Sequence, residues 1–221
     1  MANPLRKLLR PNSAADFTAK LLAKGEIKTA LDIGCGTSSH LQPFRPSLET
    51  TGLDAFKNAI DTSKKHSVHD HYIHADILKD NINAQFDLIT LYGLIEHIPK
   101  SEGIKLLDRI EKLSRKYIIF ETPNGFVPQG PEFGNEFQRH LSGWSIQEFE
   151  SRGYTVFGTT GTRYLRGYMA GPKYNFPGCL FFGELLTLLF QINNNPKHAF
   201  NLVAIKDLRG IPAKYKKEDQ P

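Results

Sequence analysis

The residue types and spacings that could do chemistry fall into two groups. The first is built on a glycine turn, Leu31-Asp32-Ile33-Gly34-Cys35-Gly36-Thr37, with Asp54 lying 20 residues after Gly34 and Asp76 a further 22 on. Glycines at 34 and 36 let the backbone turn tightly and approach a ligand closely. The N–H groups of that turn, and of a helix start expected after it, favour an anionic group such as a carboxylate. An acidic residue at the place of Asp54 accepts hydrogen bonds from ribose hydroxyls. The second group is Glu96-His97 in "GLIEHIP" and His140 in "QRHLSGW". Histidine takes up or releases a proton near neutral pH, so either ring could serve as a base.

A third cluster invites a metal reading. The stretch "HSVHDHYIHAD" places His66, His69, His71 and His74 within nine positions. The stretch reads as a strand, His71–Ala75, that ends at Asp76. At about 3.3 Å per residue, His71 and Asp76 lie roughly 16 Å apart. A strand also sends successive side chains to opposite faces, so these histidines do not converge. The expectation is polar loop and strand-start histidines, with His74 directed into or through the sheet and Asp76 the one functional residue.

The elements that must position these residues are legible as alternating patterns. Thr29–Ile33, Thr50–Leu53, His71–Ala75, Phe86–Tyr92 and Tyr117–Glu121 read as short, mainly apolar strands. Ser13–Ala23, Ala55–Lys65 and Ser101–Ser114 read as helices, the last with Ile104, Leu107, Ile110 and Leu113 as its apolar face. Such alternation predicts a parallel sheet covered on both faces. Asp32, Asp54 and Asp76 then stand at the C-terminal ends of three consecutive strands, the edge where open α/β sheets bind ligands. Residues 122–141, with Pro123, Pro128 and Pro131, form a long loop. Ser145-Ile146-Gln147-Glu148 is a capping box that opens a helix ending near Gly153. Tyr154–Thr160 and Phe200–Lys206 read as a late antiparallel pair at a sheet edge.

Composition fits a soluble globular protein. The chain has 221 residues, 40% hydrophobic and 23% charged, enough for one domain with a real core. The net charge of +5 permits an anionic partner without requiring one. Apart from the tail Lys214-Tyr215-Lys216-Lys217, the basic residues are spread out, so nucleic acid is not the favoured partner. Two cysteines, Cys35 and Cys179, cannot make a disulfide framework and point to a reducing cytoplasm. The N-terminal MANPLRKLLRPNS lacks the apolar run and cleavage pattern of a signal peptide.

Six segments taken together resemble the class I S-adenosylmethionine-dependent methyltransferases: "LDIGCGTSS", "TGLDAF", "HADIL", "FDLITLYGLIEHIPK", "IIFETPNG" and "RHLSGWSIQEFESRGY". They cover roughly residues 28–158 in the family's order. The resemblance implies a Rossmann-like, doubly wound, mostly parallel seven-stranded sheet with an antiparallel last strand. It implies a single domain over 1–221, with an N-terminal helical extension 1–27 and a helical insertion near 163–197 between the last two strands. The cofactor implied is S-adenosyl-L-methionine. Gly34 and Gly36 would pass its methionine part, Asp54 would hold the ribose hydroxyls, and Asp76 with Ile77 would meet the adenine; Asp32, Cys35 and Ala55 belong to the same cofactor-binding set. Tyr92 would lie beside the sulfonium and the methionine chain. Where many members have a third glycine, this chain has Ser38.

Methyl transfer to a hydroxyl needs alignment and removal of a proton, which assigns Glu96, His97 and His140 as the catalytic candidates. Small-RNA 2′-O-methyltransferases of this fold place a metal on Glu-x-x-Glu-His plus a distant histidine. Here Gly93 stands at the first glutamate's position, so no metal is expected. The reading favoured is O-methylation of a small-molecule acceptor, such as a sugar or a lipid-linked intermediate. Its rivals are an RNA 2′-O-methyltransferase and a non-catalytic protein that binds S-adenosylmethionine. A nucleotide-dependent dehydrogenase is disfavoured, because Ser39 breaks the G-x-G-x-x-G fingerprint and no Tyr-x-x-x-Lys pair occurs. The apolar run 176–192, "FPGCLFFGELLTLLFQI", has three readings: a buried or dimer-interface helix, the lid of an acceptor pocket, or a weak contact with a bilayer or lipid-linked acceptor. Tyr164, Tyr168, Tyr174 and Phe176 suit a pocket wall nearby. Monomer and homodimer are both open.

Overall fold

The computed structural model describes residues 13–131, 135–167, 170–174, 178–190, 192 and 194–210. Among them, seven strands form one sheet in the order β3-β2-β1-β4-β5-β7-β6. The strands are β1 (Thr29–Ile33), β2 (Glu49–Asp54), β3 (His71–His74), β4 (Phe86–Tyr92), β5 (Ser114–Pro123), β6 (Thr155–Thr162) and β7 (Ala199–Asp207). Pairing is parallel from β3 through β5, and β7 runs antiparallel to both β5 and β6. The expected strands therefore form, with bounds shifted by up to three residues at an end. The basic tail at 214–217, residues 1–12 of the N-terminal extension, Tyr168 and Phe176 lie outside the described residues.

Alternation along the strands builds two cores. Ile118 and Phe120 face one side with Leu31, Ile33, Ile89 and Leu91. Tyr117 and Ile119 face the other with Ala30, Leu88 and Val203. The first side is closed by α3 (Lys100–Leu113) and α4 (Ile146–Glu150), the second by α1 (Ala14–Ala23). α2 (Lys57–Lys65) packs on β2 and β3. Both α1 and α4 open on capping boxes, Ser13 with Asp16 and Ser145 with Glu148, which satisfy the first free amides of each helix.

Two expectations about helices need correction. The buried face of α3 is Gly103, Leu106, Leu107 and Ile110, whereas Ile104 is 42% exposed. A step of three residues falls about 60° short of a full turn, so four such positions fan across about 180° and cannot share one face. The helix expected after the glycine turn is also absent: residues 34–41 are turn and coil, followed by a short 3-10 segment, Gln42–Phe44. Ser39 explains this locally. Its hydroxyl donates to Asp32 Oδ2 at 2.5 Å and accepts from the Leu41 amide at 3.0 Å, an alternative to helical hydrogen bonding.

The insertion carries one helix, α5 (Cys179–Leu189), beside β6. Cys179, Gly183 and Thr187 face inward, but Phe181 is 70% and Leu189 67% exposed. The fully buried reading of this segment therefore does not hold. No helix among the described residues is long and apolar enough to cross a membrane.

Candidate active site

The parallel register brings the key positions to one edge. Asp32 lies opposite both Gly52 and Thr90, and Ile33 opposite Leu53 and Leu91. The chain leaves β1, β2 and β4 at this edge, and a cavity of about 740 Å³ opens there. Gly34, Gly36, Asp54, Ala55, Asp76, Ile77 and His97 line it. Gly34 and Gly36 have φ of +70° and +57°, the left-handed region that glycine enters without strain. A Cβ added at Gly34 would meet Leu94 Cδ1 at 2.8 Å, so a side chain here would push into the cavity wall.

The two carboxylates on this wall are held by their own loops. Asp54 accepts from the Gly36 amide (2.9 Å, Oδ2) and the Phe56 amide (2.8 Å, Oδ1). Each oxygen keeps a lone pair for a ligand hydroxyl. Asp76 accepts from the Leu78 amide at 2.9 Å and pairs with Lys79 at 2.8 Å. Burial pushes the Asp76 carboxyl up, but the lysine, the amide and Arg109 together hold it below the usual range. Glycine turn, two fixed carboxylates and apolar floor fit an adenosine-type ligand with an extended chain.

Three of the expected cofactor residues stand elsewhere. Asp32, Cys35 and Tyr92 line a smaller cavity of about 310 Å³, together with Gly34, Ser38, Ser39 and His40. Gly34 separates the two spaces. The Tyr92 ring packs against His40, with centroids 4.6 Å apart. Asp32 accepts from Ser39 and from Thr90 Oγ1 (2.8 Å). Burial lifts its carboxyl to about 6 despite both hydrogen bonds. Cys35 is buried, and burial next to Asp32 raises its thiol far above the reactive range.

The histidine stretch holds a surprise. His71 pairs with Glu49 at 3.0 Å on the surface, and the exposed His74 sits 3.2 Å from the Ala55 carbonyl rather than entering the sheet. His69, however, is 2% exposed and lies 3.5 Å from Asp32 Oδ2. It fills the space over Gly52, where an added Cβ would meet its ring at 2.6 Å. Burial pushes its imidazole down to about 4, so at neutral pH it is an uncharged prop beneath Asp32. The sequence reads His69 as a polar loop histidine and Ser39 only as the break in the glycine fingerprint, and nothing local singles out Thr90. The only local signal was glycine at position 52, in the middle of a strand.

Glu96, His97 and His140 come together. One ligand atom from each lies within 4.8 Å of the others, and the two imidazole rings meet edge-on at 4.8 Å. Glu96 and His97 sit on the 3-10 turn Ile95–His97 after β4, and His140 ends the long loop. Backbone bonds fasten the two segments: the Leu141 and Ser142 amides donate to the Glu96 carbonyl at 2.8 and 3.0 Å. Trp144 Nε1 and Ser142 Oγ donate to the Ile95 carbonyl. Glu96 is buried and accepts from Thr122 Oγ1 at 3.0 Å. Burial raises its carboxyl to about 7. Burial lowers the His97 imidazole below its ordinary value, against the pull of the Arg139 carbonyl.

Comparisons with known proteins identify the family and the fold. A family model described as a methyltransferase domain matches residues 6–161. No curated protein matches the chain by sequence. Among solved structures, the methyltransferase domain of a bacterial Hen1 aligns over 88% of this chain and 97% of its own, at 16% identity and a TM-score of 0.55. The plantazolicin methyltransferase BpumL, solved with a desmethyl plantazolicin analogue and S-adenosylhomocysteine, aligns over 93% and 86%, at 21% identity and a TM-score of 0.53. Magnesium protoporphyrin IX methyltransferase from Synechocystis PCC 6803, solved with bound S-adenosylmethionine, aligns over 87% and 77%, at 14% identity and a TM-score of 0.51. These likenesses are of fold.

Proposed function

The chain belongs to the family of methyltransferase domains, and from that premise we propose that it methylates a hydroxyl of a small-molecule acceptor in the cytoplasm, with Glu96, His97 and His140 handling the acceptor. The methyl donor is S-adenosylmethionine. When bound, that cofactor supplies an electrophilic methyl carbon with a good leaving group already in place.

The chain's own residues do the rest. Asp54, its carboxylate oriented by the Gly36 and Phe56 amides, is suited to the ribose hydroxyls. Asp76 and Ile77 bound the adenine end of the same cavity, and Gly34 with Gly36 clears the path of the methionine chain. Asp32 offers a buried carboxylate behind the turn for the methionine amine.

His97 is the single observation that carries the hydroxyl reading. It lines the cavity shared with Asp54 and Asp76. Its Nδ1 faces the Arg139 carbonyl at 3.1 Å. A carbonyl only accepts, so Nδ1 carries the proton and Nε2 keeps a lone pair. The lowered imidazole is neutral at pH 7, which makes that lone pair available to an acceptor's proton.

Calorimetric titration with S-adenosylmethionine and, separately, with NADH tests the cofactor half. We expect saturable binding of the first alone. Asp54→Ala should weaken it about 10–100-fold, the cost of losing hydrogen bonds to a charged group. A panel of hydroxylated acceptors then tests the chemistry. His97→Ala and His140→Ala should each lower kcat about 10²-fold or more, with donor affinity retained. Full turnover in both variants would mean that the enzyme works by alignment alone.

A further inference from the structure

α5 is turned the wrong way round for a helix that faces water. Its inward stripe is Cys179, Gly183 and Thr187, spaced four residues apart and buried beside β6. Its outward stripe is Phe181, Leu185 and Leu189, at the same spacing, with Phe182 next to it, and all four are exposed. A surface helix ordinarily buries its large apolar side chains and shows its polar ones. The surroundings extend the same character. Leu165 lies against the helix, where a Cβ added at Gly183 would meet it at 4.0 Å. Phe190 stacks on His198, with centroids 5.2 Å apart. Tyr164 and Tyr174 are exposed on the same insertion.

The charge around this face has one sign. Residues 163–198 contain Arg163, Arg166, Lys173 and Lys197 but a single carboxylate, that of Glu184, so three of the chain's net five positive charges fall there. Arg163, Lys173 and Lys197 are exposed and form no ion pair among the described residues. They are fastened beside the helix. The Arg163 amide donates to the His198 carbonyl at 3.0 Å, and the Lys173 amide to the Leu165 carbonyl at 2.8 Å. Lys197 directly precedes His198, the partner of Phe190. An apolar face with tyrosines and a cationic rim complements an anionic bilayer, in which tyrosine sits at headgroup depth and each surface cation is attracted. A second copy of the chain is a poorer occupant. A two-fold dimer sets the same patch against itself, so these cations would face their own counterparts.

We propose that α5 and its flanking loops seat the protein on an anionic lipid bilayer, as a surface contact rather than a span. The place of the insertion gives this contact a use. The chain leaves the sheet after Thr162, which pairs with Ala199, where it returns. Next to them Asn201 pairs with Pro123 at the end of β5, and β5 ends at the same edge as β4 and the candidate site. Asn124 ties the two regions together. Its Nδ2 donates to the Pro196 and Ala199 carbonyls, each at 3.1 Å. The neighbouring Gly125 amide donates to the Trp144 carbonyl at 2.9 Å, in the segment fastened to the Glu96 turn. A protein seated on α5 therefore turns this sheet edge towards the headgroup layer. The docking does not depend on the acceptor reading above, and its test needs no turnover.

Tag-free full-length protein is sedimented with vesicles of phosphatidylcholine mixed with phosphatidylglycerol, and with vesicles of phosphatidylcholine alone. We expect binding to the mixed vesicles that weakens as salt is raised, and roughly tenfold weaker binding to the neutral ones. Phe181→Ser combined with Leu189→Ser should weaken binding roughly tenfold or more, because both side chains would enter the acyl boundary. Arg163→Gln combined with Lys197→Gln should weaken it about fivefold for each cation lost. All four positions are exposed, so the variants should fold; a thermal melt and S-adenosylhomocysteine titration check this. Sedimentation velocity without lipid reports the oligomeric state. No binding to the mixed vesicles, or equal binding to both kinds, overturns the proposal. Binding that survives the Phe181 and Leu189 changes also overturns it and would point to the basic tail at 214–217. A dimer that these changes dissociate, with no vesicle binding, would give the face to a second copy instead. S-adenosylhomocysteine binding without vesicle binding would sink the docking alone. The reverse result would sink the methyltransferase reading alone.

Discussion

Asp32 is buried against Ser39, Thr90 and His69, and burial lifts its carboxyl to about 6 from the ordinary 3.8. The folded protein therefore holds this proton more tightly than the unfolded chain between pH 4 and 6. The associated stability is complete below about pH 4 and is lost as pH rises through about 6. Two pH units at about 1.4 kcal/mol each make the loss about 3 kcal/mol. Asp32→Asn keeps the shape and can hydrogen-bond both hydroxyls, so it should melt higher than the parent at pH 8 and equal it near pH 4. Urea titrations at the two pH values check this; an equal difference at both would remove the electrostatic account. The same variant should bind S-adenosylmethionine more weakly, because a carboxylate is lost behind the donor turn. At this scale the glycine turn, Asp54, Asp76 and Glu96-His97 were legible because each is a local pattern. His69 was not, because it lies 37 residues from Asp32 and only the folded sheet brings the two together.

Gly103 shows how element packing can reverse a local rule. Glycine to alanine inside a helix ordinarily gains about 1 kcal/mol. At Gly103 in α3 the new Cβ would stand 2.5 Å from Trp144 Cζ2, and Trp144 is buried. Overpacking of that kind costs about 1–3 kcal/mol, enough to outweigh the helix gain. Gly103→Ala should lower Tm by roughly 2–8 °C, readable by differential scanning calorimetry. Trp144 Nε1 bonds the Ile95 carbonyl, so the displacement should also reach the Glu96 turn and depress kcat. A stabilised variant with full activity would show that Trp144 moves freely. The central strands were readable from their apolar runs, whereas the helix after the glycine turn was not. Two serines in that turn look compatible with a helix start, and the Ser39 bond to Asp32 appears only once both are placed.

Over the whole molecule, ligand and fold are linked by mass action. S-adenosylhomocysteine at 100 times its Kd should add about 2.7 kcal/mol, raising Tm by roughly 5–10 °C for a chain of this size. NADH at equal concentration should leave Tm unchanged. Strand–helix alternation made the doubly covered sheet legible before any coordinates. The insertion at 163–197 was the least readable part, because its apolar run carries no face: α5 turns small residues inward and leaves Phe181 and Leu189 outside.

The place of β7 has a consequence for how the chain is made. β7 lies between β5 and β6 and is the partner of both. Five strands can zip together as they leave the ribosome, but β6 must wait for residues 199–207 to emerge. Until then its Thr155–Thr162 backbone is an open edge, and open edges recruit other chains. Ribosome-bound chains stalled after residue 198 should accordingly engage chaperones that those stalled before 155 do not need.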